Sequence, residues 1–574
     1  MRNRDVAQVF EDIADLLEIK GEVIYRVISY RRAAEGIRSL GRDIHDVWKE
    51  AGLREIPGVG EAIEAKIDEL LRTGKLEFFQ RLRKDIPPGL IDVLHVGDVG
   101  PKRAARFWKE LGITTVPALE KAARAGRLRE MSGMGAKSEA RILENIERMR
   151  RREQGRLSIG VARPIAEELV ERLRAVPTVM AAEAAGSVRR WRETVGDLDL
   201  LAASDEPSEV LRVFASFPEV ERVLGKGETK ASVELRNGLR AQLWVHPPAR
   251  FGTALQYATG SQAHNVRLRE RAQERGLSLS EHGFKDSIGQ ETLCPDEVKV
   301  YSTLGLPWIP PELREDRGEI AAAAAGRLPR LLEESQIRGE FHAHTTWSDG
   351  QTSLQAMAEA ARDAGLEYLV VTDHSKALGM IEGMTPEKLK QQRKELDQVQ
   401  RRLGDSIRLL HGAEVEILAD GTLDFDDRTL ASLDLVVASI HTSLRQPRSK
   451  ITSRLLSAIR NPHVDMIGHP TGRLVLGREA ADLDVEPILE AAADHGVVLE
   501  INAHPERLDL NDVHARQAWA TGCLLAINSD AHKPEDFALR RYGVGIARRA
   551  WLPPEAVLNT RTVDQLLTWL ASRG

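Results

Sequence analysis

Cysteine is nearly missing from this chain: there are two in 574 residues, Cys294 and Cys523, far apart in sequence. That excludes a disulfide scaffold and a cysteine zinc site, and it fits a reducing cytoplasm. Aromatic residues make up only 5%. No apolar run approaches the roughly 20 residues that span a bilayer, and the opening "MRNRDVAQVF" has no signal-peptide pattern. The expectation is a cytoplasmic protein with no membrane partner. Neither sign of charge dominates, and a net −6 argues against blanket affinity for nucleic acid. Locally the balance reverses, with fourteen Lys/Arg against six Asp/Glu across residues 102–152. Length is what the chain has in quantity; 574 residues exceed one hydrophobic core and predict several domains.

Residues 1–85 carry apolar side chains at helical spacing, and 86–155 continue that way. Glycine pairs recur in "IPGVGEAI" at 56–63, "LHVGDVGPKRA" at 94–104 and "MSGMGAKSEA" at 131–140, each opening a helix. Such turns expose backbone N–H groups beside a helix's positive end, which suits phosphate. Residues 156–245 are mixed, with candidate strands at 195–203, 229–236 and 239–245. The last two flank Asn237-Gly238, a hairpin signal. A two-residue turn there pairs Glu234 with position 241, so Glu234 faces away from Gln242. Residues 246–318 are mixed, and 319–337 read as a connecting helix or linker. From 338 to 574 short apolar strands alternate with helices, which predicts a parallel barrel or wound sheet.

In "AAGSVRRWRETVGDLDLL", Asp197 and Asp199 stand one residue apart on a strand and share a face. Two carboxylates side by side call for a cation. The arginines and the Gly-Ser turn ahead of them suit a polyphosphate, and Gly196 permits close backbone approach. This nucleotidyl-transfer constellation resembles the signature of family X DNA polymerases, and the glycine turns resemble helix-hairpin-helix motifs, which grip DNA backbones. "FGTALQYATGSQAHNVRLRERAQERGLSL" at 251–279 is similar to the family's nucleotide-binding segment, so the resemblance runs from near residue 1 to about 318.

The resemblance implies that Asp197 and Asp199 ligate Mg²⁺ or Mn²⁺, and that Ser187, Arg190 and Gly196 bind an incoming deoxynucleoside triphosphate. Tyr257 would lie against the sugar, with Gly260 nearby and Asn265 at the base. Gly58, Gly60, Gly97, Gly100, Lys102, Gly133 and Gly135 would contact gapped or nicked DNA. The family's third aspartate falls in "LRAQLWVHPP", where this chain has Gln242, with Trp244 at an arginine position. A neutral amide replaces neither a magnesium ligand nor a base. "IPGVGEAIEAKIDELLRTGKL" resembles the small lyase domain of the family's repair members, with Lys66 at the Schiff-base lysine.

The last third is dense in ligands at the ends of apolar runs: His342, His344, Asp349, His374, Glu414, His441, His469, Asp530 and His532. In a β/α barrel such positions form the C-terminal rim, where active sites lie. The set resembles the PHP (polymerase and histidinol phosphatase) phosphoesterases over residues 338 to about 550. That implies a three-ion site. His342, His344, Glu414 and Asp530 would hold one ion, and Asp349, His374 and His532 a second. Glu414 would bridge to His441 and His469 on the third. Mixed N/O ligation favours Mn²⁺ or Zn²⁺, for metal-assisted phosphoester hydrolysis. Arg473 and Arg507 are candidate phosphate clamps.

The expectation is therefore a multidomain, monomeric DNA repair enzyme. Its parts would be a helical lyase-like domain (1–85), helix-hairpin-helix fingers (86–155), an α+β nucleotidyltransferase palm (156–245), a thumb (246–318), a linker (319–337) and an α/β PHP barrel (338–574). It would act as a gap-filling polymerase impaired at Gln242, joined to a 3′–5′ exonuclease. The alternatives are a 3′-end nuclease whose polymerase half only binds gapped DNA, and, more distantly, a small-molecule phosphatase.

Overall fold

The helical periodicity of the N-terminal region is realised as helices whose apolar stripes share one core. The computed structural model describes residues 3–38, 40, 43–94, 96, 99–153, 156–377 and 382–573. It divides into two compact units, 1–155 and 156–574. In the first, helix Asn3–Lys20 lies along helix Ile24–Arg38. Val6, Phe10, Ile13 and Leu17 of one, and Val27, Tyr30, Ala34 and Ile37 of the other, are buried at three- and four-residue spacing. No helix among the described residues is long and apolar enough to cross a membrane.

The second unit opens with a five-stranded sheet in the order Ala181–Ala184, Asp197–Ala203, Arg240–His246, Lys230–Leu235, Val220–Lys226. One face buries Leu198, Leu200, Ala231, Val233, Ala241 and Leu243 under helices Ile159–Arg174 and Pro207–Phe214. The other face carries Asp197, Asp199, Arg240, Gln242 and Trp244. Here the structure corrects the expected register: Glu234 pairs with Arg240 and Ser232 with Gln242. Leu235 N donates to Leu239 O at 2.8 Å, and Gly238 has φ +80. The turn is a three-residue loop closed by a left-handed glycine, not a two-residue one. A one-residue slip flips every side chain, so Glu234 shares Gln242's face. It still does not supply the missing carboxylate. Arg240 stands between it and Asp197, two strand spacings or about 10 Å away, and its Oε2 accepts from Arg222 at 2.5 Å.

Residues 251–313 add helices Phe251–Thr259, Gln262–Glu274 and Glu297–Thr303 around a three-stranded sheet. The segment read as a connecting helix or linker, 319–337, begins with a short helix. Helix Glu319–Ala324 is short because Gly326 (φ +66) and Pro329 close it. Leu332 is then buried and donates its N–H to Leu552 O at 3.1 Å.

Seven strands follow in sequence order, all parallel: Gly339–Glu340, Tyr368–Val371, Arg408–Glu416, Leu435–Ser439, Met466–Gly468, Val498–Asn502 and Leu525–Asn528. A parallel bridge between Ala343 and Ala531 joins the first to the last, and His344 N donates to Ala531 O at 2.8 Å. The result is a nearly closed α/β barrel whose strands are buried on both faces, as their unbroken apolar runs require.

Candidate functional site

Six of the seven barrel strands carry polar ligands at one rim. His342 and His344 follow the first strand, His374 the second, His441 the fourth, His469 the fifth, and Asp530 with His532 the seventh; Glu414 lies near the end of the third. Asp349 sits on a loop that the buried Asp373 carboxylate holds, accepting from Thr345 N at 2.8 Å and Ser348 N at 3.1 Å. The structure brings all nine side chains together. His344, Asp349, His374 and His532 form one group, His342, His344 and Asp530 a second, and His374, Glu414 and His441 a third. The Glu414 carboxylate spans the cluster, with Oε2 3.2 Å from His342 Nε2 and Oε1 2.9 Å from His469 Nε2.

His342 Nε2, both ring nitrogens of His344, His374 Nδ1 and Glu414 Oε2 are buried without a hydrogen bond. Buried polar atoms are rarely left so, and these converge on one another, as ligands facing cations do. Burial pulls the His344 imidazole down to about 3, leaving a neutral ring with a free lone pair. Burial opposes ionisation of Glu414 and Asp530 too, but the surrounding histidines hold both well below the usual carboxylate range. His532 goes the other way: its bond to Asp349 and the charge of Asp530 overcome burial and raise it to about 9.

A second row aims the ligands. His342 Nδ1 donates to Glu500 Oε1 at 2.7 Å and His441 Nδ1 to Glu416 Oε2 at 2.8 Å, which turns each Nε2 toward the cluster. Glu500 also accepts from His469 N at 2.6 Å. Sequence reasoning missed these carboxylates. The signal for Glu416 was its two-residue spacing from Glu414, which puts both on one strand face. Of the two candidate clamps, Arg507 lies at the cluster, its Nε 3.7 Å from Asp530 Oδ2. Arg473 does not: it donates to Arg507 O, Leu508 O and Glu193 Oε2.

On the open face of the five-stranded sheet, Asp199 pairs with Gln242, whose Nε2 donates to Asp197 Oδ2 at 3.2 Å. Burial and the Asp197 charge push Asp199 up to about 7, against the pull of Lys230 and Arg190. Gly186 is required where it stands, with φ +58 and Asp199 Oδ2 2.3 Å from where a Cβ would be. Ser187 follows it in the short helix Gly186–Arg189, and Gly196 leaves room beside the Arg156 guanidinium. Arg190 donates to Thr259 O and, at 3.2 Å, to Glu315, and it packs beside Gly260. Tyr257 is partly exposed, and Asn265 donates to its carbonyl at 2.8 Å while accepting from Gln256 at 2.7 Å.

In the first unit the three glycine turns share a hydrogen-bond pattern. Val59 N donates to Ile56 O, Val99 N to Val96 O, and Met134 N to Met131 O, each at 3.0 Å. Gly60, Gly100 and Gly135 then accept from the first turn of their helices, and all are exposed with open space where a Cβ would be. Gly58 (φ +87) packs instead against the backbone of Arg32 and Ala33, and Gly133 takes φ +76. Lys102 and Lys137 stand in the opening turns of the second and third helices; Gly97 lies outside the described residues. Lys66 Nζ donates to Ala62 O at 2.8 Å and lies 5.3 Å from the Phe78 ring centroid and 6.0 Å from that of Tyr30. Partial burial and Arg26 lower its pKa. Arg26 and Tyr30, four apart on one helix face, were legible as neighbours but not as neighbours of Lys66.

Family comparisons agree with this architecture. Residues 1–76 match a helix-hairpin-helix domain, 90–148 a SAM-like helix-hairpin-helix tandem, 254–315 the DNA polymerase beta thumb, and 340–504 the PHP domain. Among curated relatives, "DNA polymerase/3'-5' exonuclease PolX" of Bacillus subtilis (strain 168) is 37% identical over 99% of both chains. A "probable phosphatase" of Caldanaerobacter subterraneus subsp. tengcongensis is 29% identical over 41% of this chain and 91% of its own. DNA polymerase lambda of Rattus norvegicus is 25% identical over 54% of this chain and 56% of its own. From helix-hairpin-helix turns to histidine-rimmed barrel, this chain belongs to the family X DNA polymerases that carry a C-terminal PHP domain.

Proposed function

We propose that this protein processes 3′ ends at gaps and nicks in DNA during repair, with the barrel as its nuclease and the palm as a nucleotide site of impaired transfer. The observation that carries the reading is the contrast between the two sites. The barrel offers nine converging ligands, five of them with buried atoms that lack a hydrogen bond, whereas the palm has a glutamine amide bonded to Asp197 where a third carboxylate is needed. Mn²⁺ or Zn²⁺ held by the barrel ligands would polarise the phosphoester and acidify a water. The chain's own part is to hold phosphate with Arg507 and to fix ligand tautomers with Glu500 and Glu416. Exposed glycine turns followed by Lys102 and Lys137 suit a sequence-independent grip on the DNA backbone. A DNA grip is of no use to a small-molecule phosphatase. The exonuclease in the Bacillus relative's name supports this direction.

The test uses a labelled primer on gapped DNA with Mn²⁺, with and without deoxynucleotides. Shortening should be lost in His342→Ala; persistence there would place the nuclease elsewhere. Lengthening should be weak and lost in Asp197→Ala. Robust lengthening by the unaltered chain would refute the impairment.

A second activity has its own observation. An amine partly desolvated beside Phe78 and Tyr30, and lowered further by Arg26, is an activated nucleophile. Lys66 would attack the C1′ aldehyde of an abasic sugar. Borohydride should trap the protein on abasic DNA and fail to trap Lys66→Ala; equal trapping would exclude Lys66.

A further inference from the structure

The palm segment that carries Arg190 continues into the barrel's surroundings. Arg190 O accepts from Arg549 Nη1 at 2.6 Å. Trp191 packs on helix Arg540–Arg549, where a Cβ at Gly545 would lie 2.5 Å from its ring, and its other neighbour is the Arg163 guanidinium, 3.6 Å from the ring centroid. Glu193 then reaches the barrel itself: its Oε2 accepts from Arg473 Nη2 at 2.7 Å.

Arg473 also donates to backbone, giving Nε to Arg507 O at 2.9 Å and Nη2 to Leu508 O at 2.5 Å. Those carbonyls belong to the segment that leaves strand Val498–Asn502 and carries Arg507 to within 3.7 Å of Asp530. Leu508 has φ +47, a backbone state that a residue with a side chain adopts only when something holds it. Arg473 is what holds both carbonyls, and Glu193 is its charge partner. The palm touches the same segment again, with Gly160 leaving room for Pro505.

We propose that Glu193, a palm residue, is a positioning residue for the barrel's nuclease. By fixing Arg473 it fixes the carbonyls of Arg507 and Leu508, and so aims the Arg507 guanidinium at the phosphate of the terminal phosphodiester. This rests on the assignment of the nuclease to the barrel cluster. It explains why an arginine inside the barrel is anchored by a carboxylate 280 positions earlier in the chain. Part of the nuclease's substrate grip would thus be built by the polymerase half.

The test compares full-length Glu193→Ala, Glu193→Gln, Arg507→Ala and the Glu193→Ala/Arg507→Ala pair. Exonuclease kinetics are measured with Mn²⁺, together with bound manganese and competitive inhibition by inorganic phosphate. Glu193→Ala should raise KM for DNA and the phosphate inhibition constant roughly tenfold, as loss of a charge-assisted contact does, with kcat and bound manganese unchanged. Glu193→Gln, which keeps an acceptor, should recover part of the loss. In the Arg507→Ala background Glu193→Ala should add less than about twofold, because the two act through one group. Unchanged KM and phosphate inhibition in Glu193→Ala would overturn the proposal, as would full additivity with Arg507→Ala or a parallel loss of manganese. A His342→Ala control separates the two levels: if that variant still degrades DNA, the nuclease assignment itself falls.

Discussion

Replacing Gln242 with aspartate restores the carboxylate that the palm lacks, and the consequences can be worked from the sheet. Gln242 pairs with Asp199, and its amide nitrogen is 3.2 Å from Asp197 Oδ2. An aspartate there brings a further negative charge to about 4 Å from Asp197, a repulsion of about 4 kcal/mol at an effective dielectric of 20. These side chains are partly exposed, so solvent reduces this to about 1–2 kcal/mol. The variant also loses a hydrogen bond of about 1 kcal/mol. In EDTA, Gln242→Asp should therefore melt a few degrees below the parent, at roughly 1 °C per kcal/mol for a unit that spans 156–574. A divalent ion between the carboxylates turns the same charges into attraction. Manganese should reverse the difference, and manganese affinity at the palm should rise by about ten- to a hundredfold. Gln242→Asn serves as the control, since it changes length without adding charge, and the barrel's ions act equally in all three proteins. Melting with and without Mn²⁺ is read beside primer extension, which should rise only in Gln242→Asp. If Gln242→Asp and Gln242→Asn shift alike in EDTA, the electrostatic account is wrong. If manganese binding improves but extension does not, the proposed impairment does not arise from Gln242.

Glu500→Gln removes the charge that fixes the His342 tautomer; bound manganese and exonuclease rate should fall about 10- to 100-fold in metal affinity, measured by metal analysis after dialysis, with DNA binding unchanged. Gly58→Ala and Gly60→Ala should separate folding from DNA contact. A Cβ at Gly58 meets Arg32 backbone at 2.7 Å in a left-handed conformation, costing at least about 2 kcal/mol by denaturant titration, whereas Gly60 has open space and its variant should keep its stability and bind gapped DNA less tightly. Metal uptake by the barrel should strengthen as pH rises toward 9, because His532, raised to about 9, and His342 and His374, raised by the carboxylates around them, must lose protons to offer lone pairs while His344, near 3, is already neutral. Manganese affinity should gain tenfold or more per pH unit between 6 and 8, with proton release seen by calorimetry in two buffers; a flat profile would refute the protonation of these three histidines in the metal-free site.

What the sequence made legible follows the range of the physics involved. A ligand at the end of an apolar strand is a local pattern, so all nine barrel side chains could be named before the rim that gathers them was known. The glycine turns are local too, and their shared hydrogen-bond pattern needs nothing beyond a few residues on either side. The hairpin register failed although it is also local. Asn237-Gly238 signals a turn but not its length, and Arg236 carries no mark that it belongs to the loop rather than the strand. The connecting segment could be read only as a helix or linker, because a run of alanines has helix propensity but no say in what Leu332 is buried against. Charged residues hid the most. Arg314 is fully buried in a bidentate pair with Glu297, which also holds Arg189 from 108 positions away. Nothing in the chain distinguishes such residues from the solvated arginines around them. The ties from Arg473 to Glu193 and from Arg549 to the Arg190 carbonyl are equally hidden in the sequence. Sequence patterns report which elements form, and contacts of charged side chains between distant elements determine how the palm comes to bear on the barrel. That second layer is where the palm and the barrel meet, and single charge-removing substitutions at its carboxylates can test it without altering either site's own ligands.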